Sequence, residues 1–196
     1  MSRKNNKEGR IVKYTLEGWK YMKESRNYIY AAALLFLISS FGGFVFAESL
    51  EPIYSEIIKS MMQSTSNLGD IQLGTFIFFS NFKGAFLSLF LGVMAGAFSL
   101  FNILLNGSLL GYVMRTLWDD SGAVHFWRIL PHGIFELPAL FISWGLGIKF
   151  GAFIFSRNPG DELKRRFEES LKTFFFIVVP LLIVAAIIEA VLIAVI

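Results

Sequence analysis

The sequence predicts an all-α integral membrane protein with about five transmembrane helices and additional amphipathic helices at the membrane surface. Three observations support this fold class. Of the 196 residues, 55% are hydrophobic and only 17% are charged, and the mean hydropathy is +0.58, which is too apolar for a soluble domain. Several apolar runs are long enough to cross a hydrocarbon core of about 30 Å. The basic residues are clustered between these runs, as membrane orientation requires.

Composition also excludes several classes of function. The sequence has no cysteine, so it has no disulfide, no thiolate metal site and no cysteine nucleophile. The net charge of +3 is modest, and its segregation favours membrane orientation over nucleic-acid binding. We therefore expect the lipid bilayer as the main partner and no nucleic acid.

The first span is predicted over residues 28–47, which carry no charge. Residues 1–27 contain eight basic residues against three glutamates, so the positive-inside rule places the N-terminus in the cytoplasm of a cell-membrane protein. Val45 and Ala47 also fit the spacing of a signal-peptide cleavage site, but the apolar stretch exceeds the usual length. We expect an uncleaved anchor.

An amphipathic helix is predicted within residues 1–27. Val12, Leu16, Trp19 and Met22 form an apolar stripe beside several lysines. This pattern is typical of a helix that lies in the inner membrane interface near anionic lipid, and it also permits recognition of a partner.

An outer loop is predicted over residues 48–83, and its acidic residues outnumber its basic ones. Ile53, Ile57 and Met61 recur at four-residue spacing, so an amphipathic helix is expected within this loop.

The stretch 84–118 would be about 52 Å long as a single helix, which is more than one crossing needs. Arg115 is its only charge, and the segment Asn102–Gly107 contains an Asn-Gly turn signal. This predicts two spans, 84–104 and 106–118, the second of half length or tilted, with a re-entrant pair as the alternative. An outer loop is predicted over 119–127.

The remaining elements are a fourth span, 128–155, a basic amphipathic helix, 157–172, and a fifth span, 174–196. With five crossings, the basic helix lies on the same side as the basic N-terminus, as the positive-inside rule requires. The whole chain is predicted to be one polytopic membrane domain.

Three glycine pairs place two small residues on one helix face, which permits close approach of helices. This packing can occur inside one subunit or between subunits, and a homodimer is the default expectation. The pairs are Gly92 and Gly96, Gly107 and Gly111, and Gly147 and Gly151.

One constellation resembles a chemical site. His132 and Glu136 are four residues apart, so they share a helix face at membrane depth, where ionisable groups usually serve a function. Three interpretations stay open: a structural pair, a proton-coupled or solute-binding site, and a metal site for an ion such as zinc. A metal would need further ligands from His125, Asp119, Asp120 or a second subunit.

Other polar residues lie at or near membrane depth, and they indicate either interhelical hydrogen bonds or a polar cavity. They are Asn81, Lys83, Asn102, Asn106 and Arg115. Signatures of zinc proteases, serine hydrolases and P-loop enzymes do not occur in the sequence. No catalytic residue is therefore predicted, and a non-enzymatic protein is favoured.

The sequence resembles the stage II sporulation protein M family of integral membrane proteins. The resemblance lies in Asn81, the glycine-rich segment 84–96, Asn106-Gly107 with Gly111, and above all the string Pro131-His-Gly-Ile-Phe-Glu-Leu-Pro-Ala139. It implies a multi-pass bundle. In spore formers, the namesake helps to assemble a membrane complex with peptidoglycan-degrading partners during engulfment. The family signature includes His132 and Glu136.

Three functions follow as hypotheses. The first is a membrane component that assembles with itself and with other membrane or envelope proteins. The second is a small-solute or ion transporter or channel, with a midplane cavity lined by Asn102, Asn106, Arg115, His132 and Glu136. The third is an intramembrane metal-dependent enzyme.

Overall fold

The structure, a computed structural model, describes the backbone of residues 2–121 and 126–195 and the side chains of residues 9–69, 71–119, 133–189 and 191. These parts form eight α-helices and contain no strand. The helices are α1 Ser2–Glu24, α2 Arg26–Val45, α3 Ala47–Thr65, α4 Asp70–Phe90, α5 Ala97–Ser121, α6 Phe126–Gly151, α7 Pro159–Thr173 and α8 Val179–Val195.

Five helical stretches of the described chain are long and apolar enough to cross a membrane, which confirms the predicted fold class. They are Arg26–Val45, Ile71–Val93, Ala97–Asp119, Gly133–Phe155 and Pro159–Glu189. The fourth stretch is the central helix, because 61% of it is buried against 17–28% of the others. Its helix α6 contacts α2, α4, α5 and α8.

The core lies around α6 and is strongly aromatic. Trp144 is 1% exposed, and its ring lies 5.7 Å from that of Phe36 on α2 and 5.9 Å from that of Phe141. Phe174 is fully buried and contacts Phe82 and Phe86 of α4. These ring contacts fix α2, α4 and the start of the last span around the central helix.

The break between the second and third spans lies at residues 91–96, not at Asn102–Gly107 as the sequence pattern predicted. A short 3-10 turn over Leu91–Val93 leads to Ala95 and Gly96, whose φ angles are 56° and 76°. Two successive residues in the left-handed region reverse the chain. The predicted boundaries 84–104 and 106–118 are therefore wrong, and so is the outer loop to residue 83, because α4 begins at Asp70.

The Asn-Gly pair at residues 106–107 stays helical for two physical reasons. Asn106 Nδ2 donates to the Asn102 carbonyl at 2.8 Å, so the side chain supports the helix instead of ending it. A Cβ on Gly107 would lie 2.8 Å from the Phe36 carbonyl oxygen, so the glycine permits close contact with α2. Tertiary packing thus overrides the local turn signal.

The amphipathic helices lie at opposite ends of the bundle. At one end, called the α1/α7 end, Lys172 Nζ is 2.8 Å from Glu17 Oε2, and Thr173 Oγ1 donates to the Gly18 carbonyl at 3.1 Å. At the other, the α3 end, the hydroxyl of Tyr54 is 2.5 Å from that of Ser108, and its ring lies 5.5 Å from that of Tyr112.

The helix α7 continues into the last span through a π-helical segment, Phe174–Val178. Pro180 is the second residue after this segment, and it has no N–H to donate to the preceding turn. The missing donor explains why the hydrogen-bonding pattern widens here while the helix continues. The predicted amphipathic helix 157–172 and the fifth span are therefore joined without a loop.

Candidate functional site

Glu136 is the predicted site residue with partners from two other spans. It lies on α6 and is half-buried. Its carboxylate interacts electrostatically with the Asn81 amide of α4 and with the Glu189 carboxylate of α8. An amide donor beside two carboxylates can hold a proton or a cation. The sequence indicated Asn81 as a polar residue near membrane depth, but it could not show that Asn81 and Glu136 would interact.

His132 lies on α6 one turn before Glu136, and its side chain lies outside the described residues, as do the side chains of His125 and Asp120. Among the described side chains, no group of three or more histidines and carboxylates could hold a metal ion. The metal interpretation of His132 and Glu136 therefore stays a prediction.

Asn102 and Asn106 lie on successive turns of α5 and bond within their own helix. Asn102 Nδ2 donates to the Phe98 carbonyl at 3.1 Å, and Asn106 Nδ2 donates to the Asn102 carbonyl at 2.8 Å. Each side chain thus satisfies part of its hydrogen-bonding capacity without a partner helix. Both asparagines gain local support from α5 itself.

Arg115 lies near the α3 end of the bundle. Its Nε atom is 2.8 Å from Asp119 Oδ2, and its guanidinium group lies 5.6 Å from the centre of the Phe44 ring. These residues line a cleft of about 220 Å³ together with Glu48 and Glu51 of α3. The cleft combines one cation with several carboxylates at the end of the span.

The residues of the transport hypothesis whose side chains are described have different surroundings. Arg115 lines the cleft near the α3 end, whereas Asn102 and Asn106 bond within α5. Glu136 interacts electrostatically with Asn81 of α4 and with Glu189 of α8.

Gly92 and Gly96 lie in the break between α4 and α5, so this pair does not share one helix face as predicted. The glycines of all three pairs lie against other segments of the same chain. A Cβ on Gly92 would lie 2.7 Å from the Cα of Gly147, and one on Gly111 would lie 2.7 Å from the backbone nitrogen of Phe44. A Cβ on Gly96 would lie 3.1 Å from the Cα of Ile148, and one on Gly151 would meet the backbone of Gly92 and Gly96.

Comparison with known proteins shows the family of the chain. The sequence matches the family described as Stage II sporulation protein M over residues 32–192, which is most of the chain. The chain belongs to the stage II sporulation protein M family. This result confirms the predicted resemblance to this family, which was based mainly on the string Pro131–Ala139. No solved structure matches the chain.

This stage II sporulation protein M family member is similar in sequence to an uncharacterized protein of Methanocaldococcus jannaschii. It is 37% identical over 105 residues, which is 50% of this chain and 47% of the relative. The chain thus matches about half the length of this relative.

Lys149 of this stage II sporulation protein M family member lies inside the apolar run 128–155. It lies on α6 and is 8% exposed. Its ammonium donates to Ser25 Oγ at 3.0 Å and lies 3.7 Å from the centre of the Tyr21 ring. Arg166 of α7 donates to the Lys149 backbone carbonyl at 2.6 Å. Lys149 thus contacts α1 through its side chain and α7 through its backbone carbonyl.

Tyr21 contacts this cation through the face of its neutral ring. Burial raises the pKa of Tyr21 to about 12, and its hydroxyl oxygen is buried without a hydrogen bond of good geometry to a described residue. The ring face therefore provides the stabilising contact, while the hydroxyl contributes little. The signal in the sequence was the lysine inside an apolar run, but its partners come from a segment outside the family match.

Proposed function

We propose that this protein is a non-enzymatic membrane component that works by assembling other membrane or envelope proteins. The observation that carries the proposal is the arrangement of α1. This helix is fixed to the bundle at several points along one side, while the apolar stripe on its other side is uncovered.

The fixed side of α1 is well defined. Glu17 pairs with Lys172, the Gly18 carbonyl accepts from Thr173, and Tyr21 packs on Lys149. A Cβ on Gly18 would lie 3.2 Å from the Cα of Thr173, so the two helices are in close contact. This docking gives α1 a defined orientation relative to the spans.

The uncovered side of α1 carries large apolar groups. Val12 is 58% exposed, Leu16 is 64% exposed and Trp19 is 48% exposed, while Met22 is half-buried. A fixed helix with an exposed apolar stripe next to lysines can bind the membrane interface and a partner helix at that interface. It is a suitable platform for assembly.

The α3 end offers a second surface of the same kind. Tyr54 anchors α3 to α5, while Ile53, Met61 and Met62 are 59%, 50% and 65% exposed. Methionine adapts to varied partners because its side chain is flexible and polarizable. The protein would thus present a helix with exposed apolar side chains on each side of the membrane.

We infer that α1 and α7 face the cytoplasm of the cell membrane. Both helices are rich in lysine and arginine, and the positive-inside rule places such segments in the cytoplasm. The outer surface would then carry α3 and the cleft around Arg115.

Close helix packing within one subunit is our interpretation of the three glycine pairs, and the contacts of Gly92, Gly111 and Gly151 with other helices of the chain support it. A homodimer would then form through a surface that does not include these glycines. Its formation is one outcome of the experiment below.

The assembly proposal is tested by the mass of the particle extracted with its surrounding lipid from the membranes of the source cell. A Leu16→Gln, Trp19→Gln double variant removes the stripe, and a Thr15→Gln, Lys20→Gln double variant changes neighbouring exposed positions of the same helix. We expect the full chain and the control to form particles larger than one copy, and the stripe variant to lose partners. Particles of one copy from all samples would contradict the proposal.

A second candidate, a transporter of small ions or solutes, is favoured by the electrostatic interaction of Glu136 with Asn81 and Glu189 of two other spans. Glu136→Gln keeps the size of the side chain and removes its charge. Loss of uptake by this variant in reconstituted vesicles, with its particle mass unchanged, would favour transport. Retained uptake would exclude Glu136 as a transport site, and no uptake by the unmodified protein would leave assembly as the function.

The metal-dependent enzyme is tested separately by elemental analysis of the purified chain beside a His132→Ala, Glu136→Ala variant. The assembly proposal predicts no stoichiometric metal in either sample. A metal that is bound by the unmodified protein and lost in the variant would support the enzyme hypothesis.

A further inference from the structure

Lys83 is a cation on the outward face of a membrane-spanning helix. It lies in α4, is exposed, and makes no hydrogen bond or ion pair with a described residue. Its helix contacts α6 and α8 through the opposite face, where Ala85, Ser88 and Leu89 are fully buried. Within the described chain, nothing neutralises the ammonium group.

The depth of Lys83 makes this exposure costly. The span runs from Ile71 to Val93, so at about 1.5 Å per residue Lys83 lies roughly 18 Å from one end and roughly 15 Å from the other. A lysine near a helix end reaches the interface by extending its stem, but this lysine is near the middle. A mid-membrane cation facing lipid is rare because it loses its hydration without gaining a partner.

The surface around Lys83 has the form of a helix-binding face. The segment 68–83 lines a hollow of about 600 Å³ that includes Phe76, Phe79, Ser80 and Lys83. A Cβ on Gly84 would meet nothing within 4 Å, so the backbone beside Lys83 is open to a neighbour. Ser80 and Gly84 are small residues four apart, which allows two helices to approach closely.

We propose that this face binds a transmembrane helix of a different protein, and that the partner helix carries a carboxylate opposite Lys83. This inference rests on the proposed assembly function and names one of its surfaces. Charge decides the kind of partner. Two copies related by a two-fold axis normal to the membrane would place their Lys83 groups at the same depth and against each other, which is repulsive. A carboxylate neutralises the ammonium and supplies a charge-assisted hydrogen bond.

The test uses the full chain in phosphatidylcholine vesicles with a synthetic leucine-rich transmembrane peptide that has one central glutamate. Matched peptides carry leucine or lysine at that position. The chain has no cysteine, so Asn67→Cys provides a single site for a fluorescent donor three residues before the start of α4. Energy transfer to a labelled peptide then measures association.

We expect the glutamate peptide to associate about tenfold more strongly than the leucine peptide, as a polar contact between spans allows. Lys83→Leu should remove the preference, Lys83→Arg should keep it, and Lys83→Glu should transfer it to the lysine peptide. A Lys83→Leu, Leu34→Lys variant moves the lysine to an exposed site of the first span and should not restore the preference.

Equal association of the glutamate and leucine peptides would overturn the inference, and so would restoration by the moved lysine. Dimers linked efficiently through a cysteine at Phe79 would also overturn it, because a second copy would then occupy the face. These outcomes are separable from failure of the assembly proposal, which is judged by the particle mass in source membranes. Large particles that persist after Lys83→Leu would leave assembly standing and contradict the role of this face.

Discussion

The ammonium group of Lys149 lies 3.7 Å from the centre of the Tyr21 ring, although the two residues belong to α6 and α1. The first segment of the chain is thereby attached to the central helix of the bundle. Lys149 also donates to Ser25, whose own hydroxyl donates to the Tyr21 carbonyl at 2.7 Å. The contact holds α1 in the position where its apolar stripe faces outward.

Replacement of Tyr21 by leucine should destabilise the protein by about 2 kcal/mol, because a buried ammonium would lose its aromatic partner. Tyr21→Phe should stay within about 1 kcal/mol of the unmodified protein, since the ring remains and the buried hydroxyl lacks a well-formed hydrogen bond. Thermal unfolding in detergent, followed by tryptophan fluorescence, gives the comparison. Tyr30→Leu is the control, because Tyr30 is 68% exposed. Equal effects of the phenylalanine and leucine variants would contradict the cation–π interpretation.

The docking of α1 on α7 should weaken in acid. The hydrogen bond from Lys172 lowers the pKa of Glu17 below its ordinary value of 4.5. A lowered pKa stabilises the docked state fully above the ordinary value, and this contribution is lost as the pH falls through the lower value in the folded protein. The Glu17 side chain is 33% exposed, so water partly screens the ion pair and the effect is small.

Spin labels at Lys20→Cys and Glu168→Cys, both exposed positions, can measure this docking as a distance between the helices. We expect the distance distribution to broaden between pH 6 and pH 3. Glu17→Gln should show part of this broadening at neutral pH, whereas Glu51→Gln on α3 should not. An unchanged distribution in Glu17→Gln would show that other contacts alone hold α1.

Adjacent glycines of α2 should respond differently to the same substitution. A Cβ on Gly43 would lie 2.7 Å from the Cα of Ser108, whereas one on Gly42 would meet nothing within 4 Å. Gly43→Ala should therefore cost about 1–3 kcal/mol through overpacking, and Gly42→Ala should be neutral or stabilising because alanine favours helix. Unfolding in detergent measures both. Similar melting of the two variants would contradict the packing of α2 on α5.

The turn between α4 and α5 should also show opposite effects at neighbouring positions. Ala95 has a φ of 56° and Gly96 a φ of 76°, a region that alanine adopts with strain. Ala95→Gly should raise the free energy of unfolding by up to about 1 kcal/mol. Gly96→Ala should lower it by about 1–2 kcal/mol, because it adds strain and a close contact with Ile148. Destabilisation by Ala95→Gly would contradict the left-handed conformation of Ala95 at this break.

The sequence predicted those features that depend on long-range composition. Apolar runs and charge segregation were sufficient for five spans and for the amphipathic helices around Leu16 and Ile57. The position of the break between the second and third spans was not predictable from Asn106-Gly107. An Asn-Gly pair favours a turn in many sequences, but in this bundle it permits a close helix contact. The partners of Glu136 and Lys149 were not predictable either, since each comes from a helix distant in sequence and only packing brings them together.

The most direct test of the assembly account is the mass of the native particle, measured one particle at a time after extraction with its lipid from the membranes of the source cell. The account predicts particles heavier than a single chain of 22.1 kDa that contain other membrane or envelope proteins and that shrink in the Leu16→Gln, Trp19→Gln variant. Uniform particles of one copy, together with solute uptake by the reconstituted chain alone, would contradict it.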